Sequence, residues 1–594
     1  MAESKTSNTN AEQLITEHLD IWTTAIEQKS SSGRGSSKKF SLHGIKKLRE
    51  LILELAVRGK LVPQDPNDEP ASVLLERIAA EKAQLVKDKK IKKPKALPEI
   101  SEDEKQFELP KGWEFSRLGF IGEIFNGNSV NAKLKETKYT GLTDGLPFIA
   151  TKDVNYGFSD LFYENGVLIP VDEPKFKVAK KGSVLICAEG GSAGKKCGLV
   201  TQNVCFGNKL FALNLYDDID PKFILSNYQT PAFYAQFSNA MTGIIGGISL
   251  AKFSELLIPV PPLEEQQRIV AKIDRLMFLC DALEAQTENS ISAHQTLVEV
   301  LLEALLKAPE EGTTPDQATK QFQQNWQRLS EHFDTLFTTT ASIDMLKQTI
   351  LQLAVMGKLV PQNPNDEPAA KLLERIAAEK ALLIKDKKIK KQKPLTEITD
   401  EEKQLELPNG WEWCRMGEVI NLVSGQHLKP NEYSENKIED GVPYITGPAE
   451  FGTYYPTYSK YTKEFRALAN KHDILITCKG AGLGKLNRAN TTIAISRQLM
   501  AIQSLKGSLD FLFLFVDSQY NYFQSKGVGI AIPGISRGDV EELVLMLPPL
   551  EEQHRIVAKV DELMTLCDQL KARLIDVQTT KLHLTNAIVE DAII

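Results

Sequence analysis

The sequence predicts an α+β protein in which one plan is used twice, and three observations support this prediction. Segment 48–93 returns almost letter for letter as segment 346–391, at an offset of 346 − 48 = 298 residues. A long helical pattern follows both Pro262 and Pro549. The blocks between these repeats alternate short apolar runs with Gly, Asn and Asp, which is typical of strands and turns. We therefore predict two mixed α/β domains rich in β-structure, framed by repeated helical segments with long coiled-coil-like helices.

The repeated segments frame two blocks whose sequences have diverged. PPLEEQQRIVAKID at 261–274 returns as PPLEEQHRIVAKVD at 548–561, at an offset of 548 − 261 = 287 residues. The second block is thus 298 − 287 = 11 residues shorter. The predicted boundaries are a conserved helical region 1–106 with a Gly/Ser-rich linker near 29–39, a β-rich domain 107–262, a conserved region with a long helix 263–404, a β-rich domain 405–549, and a conserved helix 550–594.

The segment after Pro262 has the strongest helical pattern in the chain. Its candidate core positions keep alternating steps of four and three residues, which indicates a long helix packed as a coiled coil. They are Ile269, Ile273, Leu276, Cys280, Leu283, Thr287, Ser290, His294, Leu297, Leu301 and Ala304, and after Pro549 they are Ile556, Val560, Leu563, Cys567, Leu570, Leu574, Val577, Lys581, Leu584 and Ile588. Polar residues within such a seam fix register, so His294 is expected to pair rather than to bind a ligand.

Composition bounds the class of protein. No apolar run approaches the ~18–20 residues that cross a bilayer, and the first ten residues lack an apolar signal core, so we expect a cytoplasmic location. The seven cysteines form no CxxC pair and are expected to be buried core residues in a reducing compartment. The formal charge of −7 leaves nucleic-acid binding open, because a basic surface can be local.

Known catalytic signatures are missing from the sequence. GGSAGKK at 190–196 and GAGLGKL at 480–486 resemble phosphate-binding P-loops, but both lack the first glycine and the final Ser/Thr of that motif. The only candidates for a methyltransferase tetrapeptide are VPPL and LPPL, without the required polar and aromatic residues. No HExxH or GxSxG motif is present, and a PD…(D/E)xK nuclease motif can only be assembled by chance. We therefore expect no catalysis by this chain.

The two glycine–lysine segments nevertheless suggest DNA contact. Each follows a predicted strand at the corresponding place in its block, and glycine lets the backbone approach a phosphate while nearby cations pair with it. For any one residue the alternative is ordinary solvated surface, as it is for the basic run KDKKIKK at 87–93. The candidate DNA-binding residues are Lys152, Gly191, Ser192, Lys195, Lys196, Lys209, Lys429, Lys479, Lys485, Arg488, Arg497 and Arg537.

At this point the motifs carry a family resemblance. LPKGWEFSRLG at 109–119 and LPNGWEWCRMG at 407–417 begin the variable blocks, and PPLEEQxRIVAKxD follows both of them. Together they resemble the specificity subunit of type I restriction–modification systems. The segments AVRGKLVPQDPNDEPA at 56–71 and AVMGKLVPQNPNDEPA at 354–369 look most like the IB subclass.

The resemblance implies a fold and a set of partners. Each variable block is then a target recognition domain that reads one half of a bipartite asymmetric site in double-stranded DNA. An antiparallel pair of conserved helices holds the two domains apart in a pseudo-twofold arrangement. The subunit itself binds no cofactor and has no catalytic activity. Two modification subunits, which use S-adenosylmethionine to methylate adenine, and two restriction subunits, which use ATP and Mg²⁺, assemble on it.

Two other classes remain as alternatives. One is the recognition part of a fused methylase–nuclease, from which the missing catalytic motifs distinguish this chain. The other is a coiled-coil scaffold that does not bind DNA, which would differ in showing no salt-sensitive DNA binding.

Overall fold

The computed structural model describes residues 11–28, 40–91, 93, 95–216, 219–243, 246–307, 314–403, 406–480, 482–526 and 534–593. The Gly/Ser-rich linker expected near 29–39 lies outside these residues. Within them, no helix combines the length and the apolar character needed to span a membrane.

The chain divides into two compact units, one formed by Met1–Ser290 with Val577–Ile594 and the other by Ile291–Asp576. The helices of the first half are α1 (Ala11–Glu17), α2 (Leu19–Thr24), α3 (His43–Val57), α4 (Ala71–Lys87), α5 (Leu118–Ile121), α6 (Ala132–Leu134), α7 (Pro221–Tyr228), α8 (Pro231–Ala240), α9 (Leu250–Glu255) and α10 (Leu263–Leu306). Those of the second half are α11 (Pro315–Glu331), α12 (Phe333–Leu336), α13 (Thr340–Val355), α14 (Ala369–Lys385), α15 (Met416–Val419), α16 (Leu509–Ser518), α17 (Tyr520–Ser525), α18 (Arg537–Glu541) and α19 (Leu550–Ile593).

Short strands make up the two β-rich domains. The first half contains β1 (Glu27–Gln28), β2 (Phe40–Ser41), β3 (Glu114–Arg117), β4 (Gly122–Asn126), β5 (Leu146–Ile149), β6 (Leu168–Ile169), β7 (Val178–Ala179), β8 (Val184–Cys187), β9 (Cys197–Leu199), β10 (Val204–Phe206), β11 (Leu210–Leu215) and β12 (Leu257–Val260). The second half contains β13 (Glu412–Arg415), β14 (Ile420–Ser424), β15 (Val442–Ile445), β16 (Tyr461–Thr462), β17 (Leu468–Ala469), β18 (Ile474–Thr477), β19 (Leu486–Arg488), β20 (Ile493–Ile495), β21 (Leu499–Ser504) and β22 (Val544–Leu547).

The two β-rich domains have the same topology. The first has four-stranded sheets of order β6-β5-β10-β7 and β4-β11-β8-β9, and the second has β16-β15-β20-β17 and β14-β21-β18-β19. In each, the β5–β10 or β15–β20 pair is parallel and its neighbours are antiparallel. Both sheets of the first domain share one apolar core, to which Ile149, Leu185, Phe206 and Ala212 contribute. The predicted α+β class, with two β-rich domains and long helices, is confirmed.

The chain enters and leaves each β-rich domain through a pair of strands. β3 pairs antiparallel with β12, and β13 pairs in the same way with β22. The two motifs recognised in the sequence, GWE before each domain and PP after it, thus lie side by side at the base of that domain. This explains why they repeat together although the sequence between them has diverged.

In the first unit, the start of α10 and the end of α19 lie along α3 in opposite directions. Arg49 in the middle of α3 pairs with Asp281 at 2.7 Å, whereas Gln64, beyond the end of α3, approaches Glu265 near the start of α10 at 3.4 Å. The α19 contacts run the other way, because His43 lies 3.3 Å from Asn586 and Arg58 donates to the carbonyl of Ile593 at 2.8 Å.

The second unit repeats this arrangement along α13. Lys571 of α19 pairs with Asp344 at 2.6 Å, and Lys347, one turn later in α13, pairs with Asp568, one turn earlier in α19. The end of α10 runs the other way, from the His294 ring, 2.9 Å from the carbonyl of Thr335, to Leu305, whose carbonyl accepts from Lys358. In each unit, therefore, the two long helices run antiparallel along a conserved helix, and His294 pairs with backbone, as expected.

The heptad prediction is wrong in the last third of both long helices. Cys280 is buried as predicted, but the next fully buried position in its stripe is Val298, while the predicted Leu297 is 50% exposed. In α19, Cys567 is buried, Thr585 is buried, and the predicted Leu584 is 43% exposed. Both intervals are 18 residues (298 − 280 and 585 − 567), which is five turns of a straight α-helix. The start of α10 packs along α3 and its end along α13, so its buried positions are set by two different helices and not by one continuous heptad seam.

Candidate nucleic-acid interface

The base of each β-rich domain is locked to the following long helix by a buried tryptophan. Trp113 Nε1 donates to Glu265 at 2.9 Å, and Trp411 Nε1 donates to Glu552 at 3.1 Å. Burial raises the pKa of both carboxyl groups, although the indole hydrogen bonds oppose that shift. The glutamates are the second Glu of PPLEEQ, so this motif has a positional role beneath each domain.

An arginine organises the segment before each domain in the same way. Arg117, only 5% exposed, donates to three backbone carbonyls and pairs with Glu104 at 2.9 Å. Arg415 repeats this and pairs with Glu402 at 2.7 Å. Each arginine lowers the pKa of its glutamate to about 2. The accepting carbonyls are those of Pro98, Glu99 and Glu255 for Arg117, and those of Thr396, Glu397 and Glu542 for Arg415.

The first glycine–lysine loop, residues 188–196, connects β8 to β9. Gly190 and Gly194 have φ of +88° and +69°, in the region that favours glycine. Gly194 donates to the Cys187 carbonyl at 2.8 Å, and a Cβ on it would lie 2.6 Å from Phe237 of α8. Gly191 differs, because a Cβ there would meet nothing within 4 Å. The loop is therefore fixed at its base and open at Gly191.

In the second glycine–lysine loop, the described residues 478–480 and 482–485 repeat the positive φ angles and the hydrogen bond of the first loop. Gly480 and Gly484 have φ of +91° and +75°, and Gly484 donates to the Thr477 carbonyl at 2.8 Å. A Cβ on Gly484 would lie 3.0 Å from Phe523 of α17. The strands on either side are also paired alike, so two unlike sequences form one loop geometry.

In the first domain, three chain connections meet, and each of them carries at least one predicted cation. Ala188 donates to the Lys209 carbonyl at 2.9 Å, and Lys196 Nζ lies 3.5 Å from the Thr151 carbonyl. Lys152, Lys195 and Lys209 are exposed and Lys196 is half-buried. Lys209 also lies 3.7 Å from Glu189, a weak surface pair. We call the connections 150–156, 188–196 and 207–209 the first cationic face; Ser192 and Gly191 lie within it.

The second domain has a corresponding second cationic face, formed by 446–450, 478–485 and 496–498. Cys478 donates to the Gln498 carbonyl at 2.8 Å, and a Cβ on Gly482 would come 2.6 Å from Pro448. The exposed predicted cations of these connections are Lys479, Lys485 and Arg497. Lys429, also exposed, precedes a short turn further along the same sheet.

Two predicted residues of the second domain have partners within the fold. Arg488 pairs with Asp510 at the start of α16 and lies over the ring of Phe513 at 4.5 Å. Arg537 pairs with Glu541 at 2.8 Å, one turn along α18. These contacts give both arginines a structural role that the sequence did not indicate, and their contact with DNA remains a prediction.

Sequence reasoning missed the aromatic side chains beside these faces. Tyr156 is 59% exposed, and Lys196 Nζ lies 5.2 Å from the centre of its ring. Tyr454 and Tyr455 are 77% and 48% exposed in the corresponding connection of the second domain. The available signal was a tyrosine within three residues of a glycine in the connection after a strand, which is weak because tyrosine is common in turns.

Comparison with known proteins decides the family. The model of the type I restriction modification DNA specificity domain matches residues 110–293 and 408–578. The chain belongs to this family. It is 41% identical to the EcoAI type I restriction enzyme specificity subunit of Escherichia coli, over 98% of this chain and 100% of that protein. It is 40% identical to the EcoEI specificity subunit of Escherichia coli, over 98% of this chain and 99% of that protein.

A solved structure of the type I R-M system, concerning complex assembly and conformational transition, has a chain that matches with a TM-score of 0.49 at 20% identity. The match covers 82% of this chain and 99% of that chain.

The family assignment confirms the resemblance to a type I specificity subunit and the predicted role in DNA specificity, whereas the resemblance to the IB subclass stays a prediction. Each family match begins just before a GWE motif and ends within or after a long helix, so it includes the base of the domain and its helix. Among the residues that the structure describes, no group of three or more His, Cys, Asp or Glu side chains is arranged to hold a metal ion.

Proposed function

We propose that this chain is the non-catalytic, sequence-reading subunit of a type I restriction–modification complex, and that each β-rich domain reads one half of a bipartite asymmetric DNA site. One observation carries the proposal: two domains with the same topology and different sequences lie on bases whose corresponding residues make the same contacts. Matching bases are expected to bind the same partners. Two domains with the same topology and divergent surfaces are expected to bind two different ligands of one chemical class. Two half-sites in one DNA molecule are such ligands.

The two cationic faces are the proposed sites of DNA contact. Their lysines lie on turns held by backbone hydrogen bonds, and cations on fixed turns position a protein on phosphates. Lys195, Lys196 and Lys485 are the principal candidates because their loops are matched in geometry. Lys152, Lys209, Lys429, Lys479 and Arg497 extend the same faces, together with the open backbone at Gly191 and Ser192. For Arg488 and Arg537, which are ion-paired within the domain, we propose a structural role in place of the predicted DNA contact.

The remaining activities of the complex belong to its partners. The repeated bases and long helices are the surfaces on which two modification subunits dock, and two restriction subunits complete the nuclease. S-adenosylmethionine acts in the modification subunits, and ATP with Mg²⁺ acts in the restriction subunits. In this proposal the chain works in the cytoplasm on double-stranded DNA, and its charge of −7 is compatible with DNA binding because a basic surface can be local.

Exchange of one domain tests the proposal. Residues 118–256, which lie between the paired strands β3 and β12, are replaced by the corresponding segment of a relative, so that the base stays unchanged. With the native modification subunit, sequencing of methylated genomic DNA is expected to show one half of the motif altered and the other half preserved. The reciprocal exchange of residues 416–543 is the matched control and should alter the other half. A motif that changes in both halves, or in neither, would contradict modular reading.

The long helices are proposed to set the spacer between the half-sites. Each has 44 residues, so at ~1.5 Å per residue it extends about 66 Å. Four residues inserted near Ser292, where few side chains are buried, add about 6 Å and turn the following face by roughly 40°. We expect the methylated motif to gain about one or two base pairs of spacer with both half-sites intact. An active complex with an unchanged spacer would show that another element sets this distance.

A further inference from the structure

Both β-rich domains hold exposed tyrosines on a rigid turn beside the cationic face, in unrelated sequences. The turn follows β5 in the first domain and the topologically equivalent β15 in the second. It carries Tyr156, 59% exposed, in the first and Tyr454 and Tyr455, 77% and 48% exposed, in the second. A single exposed aromatic residue needs no explanation, but two independent cases at one place in the fold do.

The first tyrosine turn is fixed by buried polar contacts. Asp153, 3% exposed, accepts hydrogen bonds from the backbone of Ala150 and from Asn165, both at 2.9 Å. Gln229, at the end of α7, donates to the Gly157 carbonyl at 3.0 Å, directly after Tyr156. The backbone that carries the tyrosine is therefore held at its start and at its tip.

The second tyrosine turn reaches the same result with different residues. Glu450 accepts from the backbone of Gly447 at 3.2 Å and from Ser459 at 3.2 Å. Gly452 donates to the Tyr455 carbonyl at 3.2 Å, which closes the tip, and Asn487 donates to the Gly452 carbonyl at 2.8 Å. A carboxylate at the start and a side-chain amide from a neighbouring element at the tip thus recur in both domains.

Each tyrosine turn is joined to the glycine–lysine loop of its own domain. In the first domain, Lys196 lies between the Thr151 carbonyl and the ring of Tyr156, 5.2 Å from the ring centre. In the second domain, Asn487 follows the loop directly in β19, and Gly482 packs against Pro448 at the start of the turn. A surface that binds the phosphates through its lysines would therefore bring these tyrosines to the same stretch of DNA.

We propose that the tyrosines of these turns, Tyr156 in 151–157 and Tyr454 and Tyr455 in 447–455, contact base edges, while the lysines of the cationic faces contact phosphates. This rests on the proposed function and assigns different tasks to two parts of one face. Rigid aromatic side chains discriminate by shape, through apolar contact with a thymine methyl group and a hydroxyl that exchanges hydrogen bonds with base edges. The lysines sit on loops of equal geometry in both domains, and phosphates are the ligand that both half-sites share.

The chain provides its own control for the test, because each variant changes one half-site reader and leaves the other intact. Tyr454→Ala with Tyr455→Ala is assembled with the modification subunit, and binding is measured on DNA duplexes with single base changes in either half-site. Loss of one good base contact corresponds to about tenfold less discrimination. We expect this loss at one or more positions of the second half-site, unchanged discrimination in the first, and an unchanged dependence of affinity on salt. Tyr156→Ala should give the mirror result, and Tyr454→Phe with Tyr455→Phe should keep part of the discrimination through the ring.

Three results would overturn the proposal. Unchanged discrimination in both halves would make the tyrosines ordinary surface. A loss of affinity equal for all sequences, with a shallower salt dependence, would place them on phosphates. After Lys485→Ala, we expect discrimination between bases in the second half-site to be retained. Loss of that discrimination would mean that the lysine contacts bases, which reverses the assigned roles. Failure of the proposed function itself is distinguishable, because domain exchange would then leave the methylated motif unchanged.

Discussion

The bases of the two halves and the domains mounted on them differ in what they repeat. At the bases the same residue types make the same contacts, as in Trp113–Glu265 and Trp411–Glu552, at 2.9 and 3.1 Å. In the domains only the backbone is repeated: the two glycine–lysine loops share their hydrogen bonds, but Cys187 at the end of β8 corresponds to Thr477 at the end of β18. Contact geometry is thus constrained at the base by side chains and in the domains by the backbone. This separation lets the surface of a domain change without disturbing the contacts at its base.

The largest expected effect comes from the arginines at the bases. Arg117→Met leaves three backbone carbonyls without their donor in a buried site, and we expect a loss of about 3 kcal/mol in the local stability of β3 and β12. Hydrogen exchange in these strands measures this loss, and Arg415→Met should give an equal loss in β13 and β22. Lys252→Met, which removes a surface pair at 3.1 Å, is the control with an expected change below about 1 kcal/mol. Unequal losses in the two halves would break the equivalence of the bases.

A smaller effect is expected from the tryptophans. Trp113→Phe and Trp411→Phe keep an aromatic ring but remove the donor to a buried glutamate, at a cost of about 1–3 kcal/mol each. Urea titration followed by hydrogen exchange in each half gives the two values separately. Trp326, 37% exposed on α11, is the matched control, and its replacement by Phe should change stability by less than about 0.5 kcal/mol. The shared role would be contradicted if the losses in Trp113→Phe and Trp411→Phe differed from each other by more than either differs from the loss in the Trp326 variant.

Variants of the two cationic faces should differ in their effects on DNA binding, whereas equivalent variants of the two bases should have equal effects on stability. Lys195→Ala with Lys196→Ala is expected to reduce the slope of log affinity against log salt by about one unit for each phosphate contact removed, and Lys485→Ala by about one unit. Arg488→Ala should leave this slope unchanged and destabilise β19 instead, because Arg488 is paired with Asp510. Filter binding of the assembled complex at several salt concentrations measures the slope. An Arg488 variant that lowers the slope as Lys485→Ala does would mean that the ion pair opens on DNA.

The smallest effect concerns pH. Arg117 and Arg415 lower the pKa of Glu104 and Glu402 from 4.5 to about 2. A carboxyl group whose pKa is lower in the folded state stabilises it above pH about 4.5, and this contribution is lost as pH falls towards 2. Glu104→Gln and Glu402→Gln should therefore each make unfolding less dependent on pH between about 4.5 and 2. Both carboxylates face solvent, so the change is small, and a steeper dependence in either variant would contradict the assigned shift.

Much of the architecture follows from the sequence because its signals are local or exactly repeated. The offset repeats mark the two halves, proline and periodic apolar residues mark the long helices, and glycine between short apolar runs marks the loops. The seven cysteines, all free and buried, are in the core as expected. Gly194 and Gly484 have positive φ and pack closely on helices, which is a structural reason for glycine that was not predicted from the sequence.

The tertiary structure determined which residues that are distant in sequence come into contact. Cys280 and Val298 are both buried because the start of α10 packs along α3 and its end along α13, whereas a heptad pattern assumes one partner along the whole helix. Lys196 and Tyr156, 40 positions apart, meet because the β5–β10 pair places 150–156 beside 207–209 and the β8–β11 pair places 188–196 beside the same connection. Arg488 of β19 pairs with Asp510 because the fold places the start of α16 beside it. Local patterns fix which elements form, but the free energy of burial selects how they pack, and that packing places the candidate side chains on a common face.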